Sequence, residues 1–144
     1  MQHMYKTEKE AIQSLVNGVE FKNIRFDYFR DNENVVLKAC IYQGAESLKT
    51  ACKKLRDDKV FMKKILSIKP EALEFCSNNL KDNWELVLLA CEKNPAVICY
   101  ASKELIEKCK NKDPIKVIQS LILERNLNSN LTVNKEKHIK KTKI

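Results

Sequence analysis

Residues 81–105 read KDNWELVLLACEKNPAVICYASKEL, and this stretch decides the fold. Two upstream segments follow the same plan, RDNENVVLKACIYQGAESLKTACKKL at 30–55 and RDDKVFMKKILSIKPEALEFCSNNL at 56–80. Asp31, Asp57 and Asp82 recur at intervals of 26 and 25, as do the breakers Gly44, Pro70 and Pro95, while Leu55, Leu80 and Leu105 close each copy at intervals of 25. Self-similarity at a fixed short period is the mark of stacked units that bury their apolar faces against one another.

Each landmark has a physical role in a helical hairpin. The aspartate is a good helix N-cap, and Asp82 with Glu85 forms a capping box. Apolar residues follow at helical spacing: Val35, Val36, Ala39 and Cys40; Phe61, Met62, Ile65 and Leu66; Leu86, Val87, Ala90 and Cys91. Pro70 and Pro95 fit the first position of a second, shorter helix, with Asn94 as its cap. That helix points inward Leu48, Ala51 and Leu55, then Leu73, Cys76 and Leu80, then Ile98, Ala101 and Leu105.

The pattern decays at both ends, as terminal units of stacked repeats do. Residues 1–29 read as a degenerate hairpin: Thr7 caps a helix through Val16, Asn17-Gly18 turns, and Phe21, Ile24 and Tyr28 continue an apolar face. Asp113-Pro114 starts a closing helix with Ile115, Ile118, Leu121 and Ile122 inward, so that 106–126 form a C-terminal cap and 127–144 a basic flexible tail. The expected fold is all-α, an α-solenoid-like bundle of three stacked hairpins (30–55, 56–80, 81–105) between terminal capping helices.

Composition agrees. The chain has 144 residues, 44% hydrophobic and 32% charged, with only two glycines and three prolines, which excludes a glycine-rich phosphate loop and the turn chemistry of a β-barrel. Its longest apolar run, Leu86 to Cys91, is too short to cross a bilayer core of about 30 Å. Net charge is +8, half of it in the segment after Asn126, where Lys135, Lys137, Lys140, Lys141 and Lys143 face only Glu136. The body mixes both signs, so a phosphate-tracking face is not expected and nucleic acid is a secondary expectation confined to the tail. The tail has no aromatic residue on which a base could stack.

Six cysteines (40, 52, 76, 91, 99, 109) form no C-x-x-C pair, and the two histidines, His3 and His138, lie near opposite ends, so no metal site and no cofactor is expected. Cys40 and Cys91 occupy equivalent positions, Cys76 stands where other copies have Ala51 and Ala101, and Cys52 where they have Ser77 and Ser102. These are small-residue slots between close helices, filled by reduced thiols. Reduced thiols and an N-terminus without a continuous apolar stretch agree with a reducing interior, so the expected location is cytoplasmic.

Catalysis is not expected. The three copies contain no histidine to serve as a base for a nucleophile. Carboxylate pairs such as Asp57-Asp58 and Asp27 with Asp31 fall at helix starts, where capping accounts for them, and Lys63 and Lys64 belong to a solvated helix edge.

The strings DNWELVLLAC (82–91) and NPAVICYASKEL (94–105) resemble a short helical repeat catalogued only as a domain of unknown function, with a unit of the form D-x-E-V-V-L-x-A-V-x-x-N-G/P-x-x-L-x-x-A-S-x-x-L. The resemblance covers 30–105 and is closest in the third copy and weakest in the second, where Lys63 replaces an apolar residue. Such repeats are similar to ones in protists, large viruses and intracellular bacteria, including proteins delivered into host cells. The resemblance implies a helical repeat and brings no catalytic motif. It also implies one version of the function: a small effector of an intracellular bacterium, delivered without a cleavable signal peptide, that docks on an enzyme and modulates it.

Departures from the repeat point to the binding surface. Trp84 stands where its siblings are Glu33 and Lys59, Leu89 replaces Lys38 and Lys64, and Ile41 replaces Ser67 and Glu92, with Tyr42 beside it. An aromatic at a charged position either meets a partner protein or packs on the neighbouring terminal helix, and both alternatives are open for Trp84. Trp84, Leu89, Ile41 and Tyr42 are therefore the candidate partner-binding residues of a non-catalytic adaptor or regulator, with the five tail lysines as candidate contacts to an anionic surface. Open-ended repeats can also pair with themselves, which keeps a homodimer among the expectations.

Overall fold

The computed structural model describes residues 5–24 and 28–141, so Asp27, His3 and Lys143 lie outside the described residues. The fold is all-α: 75% helical, with no β-strand among the described residues. The α-helices are α1 Glu8–Val16, α2 Glu33–Gln43, α3 Lys53–Arg56, α4 Lys59–Leu66, α5 Asn78–Lys81, α6 Trp84–Lys93, α7 Lys103–Cys109 and α8 Pro114–Lys141. Tight 3-10 turns occupy Phe21–Asn23, Ala45–Lys49, Pro70–Phe75 and Pro95–Tyr100.

Every residue of the apolar stripes expected in 30–105 is buried in one core, except Ile98, which is half-buried while its neighbour Val97 is enclosed. The α2, α4 and α6 helices lie side by side, α4 touching both of the others, and the three central 3-10 turns pack in the same order. The expected second helix of each segment is broken. It starts as a 3-10 turn, which Pro70 and Pro95 open, and resumes as a short α-helix after Cys52, Ser77 or Ser102. At that break each segment reaches back to its start. The N–H groups of Cys52, Ser77 and Ser102 donate to the carbonyls of Arg30, Arg56 and Lys81 at 2.8, 2.9 and 2.9 Å.

The caps fall one residue later than the sequence suggests. Asn32, Asp58 and Asn83, not Asp31, Asp57 and Asp82, accept from the third N–H of α2, α4 and α6. Two of the aspartates before them receive a hydroxyl instead: Ser77 donates to Asp57, and Ser102 to Asp82 at 2.6 Å. Asn94 does cap its turn, accepting from Ala96 N.

At the N-terminal end Thr7 caps α1 and Gly18 turns the chain at φ +87°, a conformation that favours glycine. The side chain of Gln43 accepts from Phe21 N at 2.8 Å and donates to Val19 O at 2.6 Å, holding this segment on the end of α2. Phe21 and Ile24 enter the core as expected, but Tyr28 points out and Phe29 takes the buried place.

The C-terminus departs most from expectation. The α8 helix does not end near Asn126 but continues to Lys141, so the lysine-rich segment is helical. No glycine or proline follows Pro114 to stop it, and lysines in the final turns sit at the negative end of the helix dipole. Ile118 is buried and Ile115, Val117, Leu121 and Ile122 pack on the core, whereas the described side chains from Leu123 on are exposed.

Candidate partner-binding surface

Trp84 is the first residue of α6, placed there by the Asn83 cap. It is half-buried, packed on the core on one side and facing the terminal helix. Arg125 of α8 lies over its ring, the guanidinium carbon 5.3 Å from the centroid, and the ammonium of Lys108 from α7 lies 5.7 Å away. Both cations are fixed from behind. Arg125 donates to the Glu85 carboxylate, and Lys108 to Glu104 at 2.6 Å. The Arg125 hydrogen bond, the largest influence, holds the Glu85 carboxyl below the usual carboxylate range. An open groove of about 530 Å³ runs from Trp84 along α8, bounded by Lys108, Leu121, Glu124, Arg125 and Thr132.

The other candidates do not join it. Leu89 is half-buried against the core. Ile41 is half-buried and Tyr42 is 52% exposed on α2, separated from α6 by the intervening α4, and Tyr42 borders a different groove of about 580 Å³ beside Gln43 and Phe21. The candidates Trp84 and Tyr42 therefore lie at separate grooves. Lys135, Lys137 and Lys140 are exposed on α8, and Lys141 is its last residue. Sequence reasoning missed Lys108 and Arg125, because their relation to Trp84 depends on how α7 and α8 fold back on α6.

A third concavity of about 450 Å³ gathers Lys53, Lys54 and Arg56 against Asp57, whose carboxylate is already engaged by Ser77. Burial pushes the thiols of Cys40 and Cys76 up to about 12 and that of Cys91 to about 11, which disfavours the thiolate. Among the described residues no cluster of histidine, cysteine and carboxylate side chains could hold a metal ion, and no helix is long and apolar enough to cross a membrane.

Comparison with known proteins gives one result that bears on this geometry. Residues 58–106 match the family model described as Domain of unknown function (DUF4116). No curated protein and no solved structure matches the chain. The DUF4116 segment runs from the Asp58 cap to α7, so it contains Trp84, Glu85 and Leu89. The resemblance read from the sequence began at residue 30, but the DUF4116 match takes the second and third segments and leaves the first outside. Lys63, the residue that weakens the second copy, is exposed beside a complete buried stripe. Arg125 and all of α8 lie beyond the DUF4116 match, so the groove pairs Trp84 of the matched segment with a helix outside it.

Proposed function

We propose that this chain is a non-catalytic protein-binding adaptor or regulator, an α-solenoid-like array whose C-terminal helix and Trp84 groove meet a partner protein. One observation carries the reading: a half-buried tryptophan, flanked by two cations each tethered to a carboxylate, at the wall of an open groove. Tryptophan and arginine dominate the binding energy of protein interfaces, and truncating a central one removes about 2 kcal/mol or more. The resemblance favours a concrete version, a small effector of an intracellular bacterium that binds and modulates an enzyme.

The test is affinity purification from the native cell at moderate salt, comparing the wild-type chain with Trp84→Ala and Lys108→Glu. The expected result is one co-eluting protein lost with both variants, while circular dichroism stays native. Co-elution unchanged by either variant would reject the groove.

A second reading, nucleic-acid or anionic-surface binding through the tail, gains support from the exposure of Lys135, Lys137 and Lys140 on a helix. It loses support from their directions. At about 100° per residue, Lys137 and Lys140 lie about 60° from each other but about 160° and 140° away from Lys135, so the three do not share one face. Binding to duplex DNA that falls steeply with salt and disappears on truncation after Asn126 would establish it.

A further inference from the structure

The α8 helix has two faces of opposite character. Ile118 is fully buried on the body, and Leu127, nine residues on, lies about 180° around the helix from it. Leu127 is 54% exposed, and Leu123 and Leu131, one turn before and after, are 60% and 59% exposed. Asn134 extends the same line. The three leucines span about 80° of the circumference, narrower than the apolar face of roughly 100° or more with which a helix lies on a globular core. That is the width of a coiled-coil seam. A helix lying in a membrane interface needs a broad apolar face, commonly with aromatic anchors, and after Trp84 and Tyr100 the chain has no aromatic residue at all.

Charge selects the occupant. Lys135 and Lys137 lie about 80° to either side of Leu127, one on each edge of the seam, with Glu124 about 60° from it on the Lys135 side. Between 123 and 141 there are five basic residues and two acidic ones. A second copy fits poorly: parallel pairing sets Lys135 and Lys137 against themselves, and antiparallel pairing about Leu127 sets them opposite Gln119 and Val117, in a stretch, 115–121, with no carboxylate to answer them. We propose that the outward face of α8, with Leu123, Leu127 and Leu131 edged by Lys135 and Lys137, docks an amphipathic helix of a partner protein whose apolar stripe is bordered by acidic residues. This deepens the protein-binding reading, on which it rests, and places the contact on the side of α8 away from Trp84.

The probe is a synthetic peptide about four heptads long, leucine at every a and d position and glutamate at every e and g position, titrated into the full chain by calorimetry. Its counterpart with lysine at e and g is the control. Expected are micromolar binding of the acidic peptide, at least tenfold weaker binding of the basic one, and at least a tenfold loss with Leu127→Gln. Because Leu127 makes no core contact, that variant keeps the wild-type circular dichroism. Equal binding of both peptides, no binding of the acidic one, or no effect of Leu127→Gln would overturn the proposal. Leu127-dependent binding to phosphatidylserine vesicles without peptide binding would assign the face to a membrane instead, and a Leu127-dependent dimer in sedimentation would assign it to a second copy. Failure of these arms leaves the groove reading standing, since that reading fails only if Trp84→Ala and Lys108→Glu retain the native partner.

Discussion

The hydroxyl of Ser102 donates to the carboxylate of Asp82, twenty residues earlier, at 2.6 Å, while the same oxygen accepts from Leu105 N at 3.3 Å. Ser77 repeats the arrangement with Asp57 and Leu80 N. One side chain thus caps a short helix and ties the end of its segment to the start. Cys52 occupies the corresponding place before α3 and gives no side-chain cap. Ser102→Ala should destabilise the protein by about 1–2 kcal/mol, combining a lost cap with a lost hydrogen bond. Cys52→Ser should stabilise it by about 0.5–1 kcal/mol. Urea unfolding of both variants measures this, and a Cys52→Ser variant no more stable than wild type would show that the clamp needs more than the hydroxyl.

The register of the caps makes a separate prediction. Asn83 accepts from Leu86 N at 3.1 Å, so Asn83→Ala should lower stability by about 1 kcal/mol through loss of the α6 cap. Were Asp82 the cap, Asn83→Ala would be nearly neutral. Thermal melts distinguish the two.

Alkaline pH should unfold the protein through its thiols. Cys40 and Cys76 are pushed from 9.0 to about 12 and Cys91 to about 11 by burial, so the folded chain keeps protons that the unfolded chain releases. Their contribution is whole below pH 9 and is lost as pH rises toward 11 to 12, at about 1.4 kcal/mol per pH unit for each thiol. Denaturant midpoints between pH 8 and 11 should fall, and Cys40→Ala should make the fall shallower relative to its own value at pH 8. In the same window iodoacetamide should label exposed Cys99 first.

Trp84 is the single tryptophan, so its emission reports on the groove. Arg125 keeps Glu85 ionised below the usual carboxylate range, and the link persists above that range and is lost as acid protonates the carboxylate. Acid titration should change the Trp84 emission as Arg125 is released, and Glu85→Gln should show the released spectrum already at pH 7. Identical titrations of wild type and variant would mean that Arg125 holds its place over the ring without Glu85.

The central architecture is legible because it is written in local chemistry. The stripes Val35-Val36-Ala39-Cys40, Phe61-Met62-Ile65-Leu66 and Leu86-Val87-Ala90-Cys91 are all enclosed, and the cysteines among them sit in small-residue slots. Local pattern misleads where two options are nearly equal. Asn83 and Asp82 are equally good caps in isolation, and the serine arriving from the end of the same segment occupies the aspartate. The Asn126–Asn134 stretch is rich in asparagine, serine and threonine, which reads as a loop, yet it extends a helix already nucleated on the core.

The candidate surface is legible in half. Trp84 announces itself as an aromatic at a charged position, but its company does not: Lys108 and Arg125 lie 24 and 41 residues away in the chain. Ile41 and Tyr42 lie apart from it, because α4 stands between their helix and that of Trp84.

By itself the sequence determined that this chain is helical, that the three segments turn at Gly44, Pro70 and Pro95, and that the first-helix stripes enter the core, because periodic burial and turn chemistry act within a few residues of each other. The tertiary structure alone decided which side chain caps and which clamps, that Trp84 lies against Arg125, and that Leu127 faces away from the body. Those outcomes depend on distances between segments far apart in the chain, which no local pattern encodes.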